Sequence, residues 1–94
     1  MKDRQETKFM QTTIYGEHGA FFVSTIHRYS SAAAAYDMKY YETFAWDMDA
    51  KTNERGKIVA DNSGAITPEG AVRQHREVVD QLLATGVFLD KEED

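Results

Sequence analysis

A helix-start signal, Thr67-Pro68-Glu69, stands between a long upstream region of strand-like composition and a stretch of helical periodicity. Threonine offers its hydroxyl to the free amides, proline suits the first helical position, and glutamate favours the positive end of the helix. From there to about Thr85, Ala71, Val72, His75, Val78, Val79, Leu82 and Leu83 recur at three- and four-residue spacing, while Arg73, Gln74, Arg76, Glu77, Asp80 and Gln81 fill the opposite face. Gly86 stops the helix in the left-handed position. Val87-Phe88-Leu89 then packs back or adds a short strand.

The upstream region reads as strands. Phe9 to Tyr15 is rich in β-branched and aromatic residues and ends in the glycine-bracketed turn Gly16-Glu17-His18-Gly19, after which Ala20 to Tyr29 resumes the same composition, as a hairpin would. Both faces of the second strand carry apolar groups, which suits a central position. The stretch Ser30 to Asp37 is a connection, with at most one helical turn in its four alanines. A third strand runs from about Lys39 to Met48, a charged tip from Asp49 to Gly56, a short fourth strand from Lys57 to Ala60, and a loop through Asp61-Asn62-Ser63-Gly64. The expected fold is therefore α+β: a four-stranded antiparallel β-meander with one C-terminal helix packed on one face. Residues 1–8 are expected to be a flexible N-terminus, 9–89 a single domain and 90–94 an acidic tail.

Ninety-four residues suffice for one modest core, and without cysteine the chain has neither disulfides nor thiolate chemistry. The N-terminal residues are charged where an export signal needs an apolar segment, and no run is long enough to span a membrane, so a soluble cytoplasmic protein is expected. The formal net charge of -5 lacks the footprint of a nucleic-acid binder. It suits a solvated surface kept from aggregating, and it permits a partner with the basic surface of a nucleic-acid-handling protein.

Two polar residues fall where core residues belong. Glu42 shares a strand face with Phe44, Trp46 and Met48, and His75 lies on the apolar stripe of the helix. Buried polar groups need partners, so a helix packed on that face would join them. Such a pair serves either as a general acid-base couple or as a hydrogen bond that docks the helix. Ser24 and Thr25 are the nearest candidate nucleophiles by type, but neither sits in a glycine-flanked elbow. His18, His27, His75, Glu17 and Glu42 follow no metal-ligand spacing, and Asp47-Met48-Asp49 matches a calcium loop at two positions only, so no metal or cofactor is expected. On this reading the open sheet face would carry Tyr41, Thr43 and Ala45, an apolar surface suited to a homodimer or a protein partner. Tyr36 and Asp37 in the connecting loop would join Tyr41 and Thr43 as binding residues, since tyrosine gives large contact area at low entropic cost.

Val23-Ser24-Thr25 on a strand, Tyr41-Glu42-Thr43-Phe44 on the next, and a helix with Glu69-Gly70-Ala71 and His75-Arg76-Glu77-Val78-Val79 resemble a family of small uncharacterised phage and prophage proteins. The resemblance covers about residues 21 to 83. It implies an origin on a mobile element and singles out Glu42, Thr43 and His75, but implies no activity. The family's loop histidine is missing here, and Gln74 replaces the glycine before His75. The expectation is a non-enzymatic protein-interaction module that binds a host or phage protein, with inhibition of a nucleic-acid-directed defence system, as an anti-CRISPR would, as one concrete version. The alternative is a small hydrolase or isomerase using Glu42 and His75.

Overall fold

The computed structural model describes residues 4–30 and 38–89. Tyr36 and Asp37, expected to bind, and the acidic tail lie outside the described residues. The chain forms β1 (Arg4–Gly16), β2 (Gly19–Ser30), β3 (Met38–Met48), β4 (Arg55–Ala65) and α1 (Pro68–Thr85). The strands make one antiparallel sheet in the order β1-β2-β3-β4, so each pairs with its neighbours in sequence. The expected α+β meander is thus the fold. No helix among the described residues is long and apolar enough to cross a membrane.

Local chemistry sets the limits of α1. The Thr67 hydroxyl accepts the Gly70 N–H at 3.0 Å, Pro68 opens the first turn, and Gly86, at φ 80°, donates its N–H to the Leu82 carbonyl at 2.9 Å. Below the helix lies a core of Ile14, Phe21, Val23, Ala45, Ala60, Val78 and Leu82, with Val59, Val79 and Phe88 packed at its margin. Phe88 therefore packs back, and Val87 to Leu89 form no strand.

The strands are longer than their compositions indicate. Residues from Arg4 onward, expected to be flexible, pair with β2 from Arg4↔Ser30. Sheet hydrogen bonds come from the backbone, so a charged sequence on an edge strand can supply them. Similarly, Asp61-Asn62-Ser63-Gly64 continues β4, where Asn62 faces Thr43 and Ser63 faces Glu42. Three register shifts along β3 and β4 and a positive φ of 130° at Gly64 accommodate this turn-like sequence in a strand.

The larger correction concerns which face α1 covers. It packs on the face bearing Tyr41, Thr43 and Ala45, all buried, so Glu42, Phe44, Trp46 and Met48 point the other way and remain partly exposed. Size and polarity explain the choice. Ala45, Ala60 and Ala71 let helix and sheet approach closely, and Thr25 and Thr43 offer hydroxyls to the polar residues of the helix.

Candidate functional site

Glu42 and His75 do not meet, because they lie on opposite faces of the sheet. The Glu42 carboxylate stands 3.4 Å from Arg28 Nε on β2, while His75, 1% exposed, is held by threonines from two strands. Thr25 lies next to Thr43 across β2 and β3, their hydroxyl oxygens 2.6 Å apart. Thr25 Oγ1 is 2.7 Å from His75 Nδ1, and Thr12 Oγ1 on β1 is 2.8 Å from Nε2. Gln74, expected on the outer face of the helix, is buried instead. Its Nε2 lies 3.0 Å from Thr43 Oγ1 and 3.3 Å from the Tyr41 carbonyl.

The direction of these hydrogen bonds follows from what each group can do. The Ala65 N–H donates to Gln74 Oε1 at 3.1 Å, which orients the amide. An amide nitrogen only donates, so Thr43 accepts from Gln74, and its own hydrogen is left to point at Thr25, the hydroxyl 2.6 Å away. With that arrangement Thr25 donates to His75 Nδ1, and in the tautomer that matches it the neutral imidazole carries its hydrogen on Nε2 and donates it to Thr12. One directional chain thus ties all four strands to the helix. Burial also pushes the His75 pKa below its usual value near 6.5, which favours this neutral form.

The short motifs that carried the family resemblance converge on this chain through Thr25, Thr43 and His75. Thr25 and Thr43 have no exposed surface and His75 is 1% exposed, so these bonds tie the sheet to the helix. Tyr41 and Thr43, expected on a binding surface, are buried under the helix. Tyr41 instead stacks on His27 at 4.3 Å and meets Phe9 edge-on at 5.1 Å. In the sequence Thr25 stands out as a candidate nucleophile and in the Val-Ser-Thr motif, Gln74 falls on the outer face of the helix, and Thr12 carries no signal of its own. The available signal was two threonines at facing positions on adjacent strands opposite a Gln-His pair.

The open surface is the reverse face of the sheet. Trp46 lies between Phe22 at 5.9 Å and Phe44 at 5.8 Å, and the guanidinium carbon of Arg55 sits 4.8 Å and 5.1 Å above the Phe22 and Trp46 rings. Arg28 approaches Phe44 at 5.8 Å, and Ile58, 53% exposed, is paired with Trp46 across β3 and β4. At the hairpin end, Tyr15 donates its hydroxyl to Asn53 Oδ1 at 2.7 Å. There Thr13, Tyr15, Phe22, Met48, Asn53 and Arg55 line a shallow cleft of about 240 Å³. The neighbouring tip is held by Asp49, whose Oδ1 accepts the N–H groups of Lys51 and Thr52. Compared with known protein families, with curated proteins and with solved structures, the chain matches none.

Proposed function

We propose that this chain is a non-enzymatic protein-interaction module, a cytoplasmic accessory of a phage or other mobile element, that binds a host or phage protein through the helix-free face of its sheet. The observation that carries this reading is the contiguous aromatic surface of Phe22, Phe44 and Trp46 with Arg55 stacked across it. Aromatic residues and arginine are the types that dominate binding energy at interfaces, because they bury large areas and keep a polar handle. Four strands about 4.8 Å apart and about eleven residues long present about 700 Å², close to one side of a standard interface. The partner best suited to it is an apolar protein surface with a carboxylate placed to meet Arg55.

Inhibition of a nucleic-acid-directed defence system is one form of this function. Contact through the aromatic face would not imitate phosphate, so charge mimicry would have to use the acidic remainder of the molecule. The acid-base alternative loses its premise with Glu42 and His75 on opposite faces.

The test compares tagged wild type with the Phe44→Thr/Trp46→Thr variant and with Arg55→Glu as baits in host and phage-infected lysates, read by quantitative mass spectrometry. Threonine keeps the strand preference, so circular dichroism should be unchanged. One protein retained by wild type at near-equal stoichiometry and lost from both variants is the expected result. The same proteins bound equally by all three baits would reject the face as a docking surface.

A further inference from the structure

The two outer strands of the sheet differ in how they are protected against further pairing. A sheet edge presents unpaired N–H and C=O groups, which natural proteins blunt with bulges, charges, proline or a covering element. β4 has such devices: three register shifts, a glycine at positive φ, and Lys57 and Asp61 within the strand. β1 is different. It spans thirteen residues with one register shift, at Phe9, and from Phe9 to Gly16 it contains neither a charged residue nor proline. Among the described residues nothing pairs with its outer side, and Gln11, Thr13 and Tyr15 are exposed.

We infer that the β1 edge pairs antiparallel with β1 of a second copy of this chain, about a two-fold axis at Thr12. A two-fold pair must be self-complementary, residue by residue. With Thr12 facing its own copy, Gln11 faces Thr13 and Met10 faces Ile14, so polar meets polar and apolar meets apolar. The regular part of β1 is therefore close to a palindrome in residue character. Every second residue of an edge strand turns its N–H and C=O outward, and in this register those residues face one another, so both sets of free groups are bonded. Met10, Thr12 and Ile14 also lie on the helix side of the sheet, as the bond from Thr12 to His75 and the burial of Ile14 show, so the register continues both faces across the junction. This pairing uses an edge, not the aromatic face, and stands independently of the function proposed above.

The experiment is light scattering with size-exclusion chromatography, at concentrations up to about 100 µM so that a micromolar dimer is populated. The wild-type chain is compared with two variants at exposed positions. Gln11→Lys/Thr13→Lys places like charges opposite each other across the junction, and Gln11→Glu/Thr13→Lys places opposite charges there. Wild type is expected at twice the chain mass of 10.7 kDa, the double-lysine variant at the monomer mass with an unchanged circular dichroism spectrum, and the mixed-charge variant again as a dimer. A wild-type monomer throughout the range would overturn the inference. So would a mixed-charge variant that remains monomeric, whether or not the double-lysine variant folds. A dimer that survives both lysines but separates on Phe44→Thr/Trp46→Thr would place the second copy on the aromatic face and reject the edge.

Discussion

His75 depends on the direction of its hydrogen bonds as much as on their number. Among the described residues Thr25 is the group placed against Nδ1, and in the arrangement above it donates there while Thr43 donates to it. Replacing Thr25 with valine keeps the shape but leaves the imidazole without a donor and the Thr43 hydroxyl without its acceptor. Thr25→Val should therefore lower unfolding free energy by about 1 to 3 kcal/mol. Urea denaturation of Thr25→Val, His75→Ala and their double variant should give a loss smaller than the sum, and strict additivity would show that the two side chains do not act together. Acid should weaken the same tie. A proton on Nδ1 would force Thr25 to accept, reverse its hydroxyl toward Thr43, and leave the Thr43 hydrogen without its partner. Because folding lowers the pKa, the unfolded chain takes up this proton first. The contribution of His75 is therefore complete above about pH 6.5 and is lost as pH falls from there through the lowered folded-state value. Unfolding free energy measured from pH 7.5 to pH 5.5 should fall more steeply for wild type than for His75→Gln. Parallel curves would mean that His75 is not the group responsible.

At the scale of the elements, α1 is fixed at both ends and the second end is the more exposed to damage. Gly86 combines a positive φ with close approach, since a Cβ added there would lie 2.9 Å from both the Cβ and the carbonyl oxygen of His18 in the β1–β2 turn. Gly86→Ala should cost about 2 kcal/mol or more, from left-handed backbone strain plus this clash, and thermal melting should show it clearly. A melting temperature equal to wild type would mean that the helix end can move away from the turn at no cost. These helix limits are legible in the sequence because capping chemistry is local: Thr67, Pro68 and Gly86 each act within a few residues. Strand limits depend on the partner. Asp61 to Gly64 reads as loop, yet it continues β4 because β3 supplies the hydrogen bonds. The buried face of β3 was hidden for another reason. Both of its faces carry apolar side chains, so alternation alone does not say which one the helix covers, and counting aromatics points to the wrong one. The deciding residues are Gln74 and His75, which need hydroxyls, and Thr25 with Thr43 provides them on one face only.

For the whole molecule, one helix on a four-stranded sheet leaves one face uncovered among the described residues, and the sequence made that legible even though it assigned the wrong residues to it. The proposed two-fold pairing at β1 sharpens the consequence. An antiparallel edge-to-edge pair has its axis perpendicular to the sheet, so both helices fall on one side and both aromatic faces on the other. The two surfaces then do not compete: self-association consumes the edge of β1 and leaves Phe22, Phe44, Trp46 and Arg55 of each copy free. Stoichiometry separates this arrangement from the alternatives. Once a partner has been captured, native mass spectrometry should find two copies of each protein in the wild-type complex, one of each with Gln11→Lys/Thr13→Lys, and a dimer without partner with Phe44→Thr/Trp46→Thr. If the partner instead splits the wild-type dimer into one-to-one complexes, the second copy and the partner share a surface, which is the β1 edge if Gln11→Lys/Thr13→Lys abolishes both contacts and the aromatic face if Phe44→Thr/Trp46→Thr does.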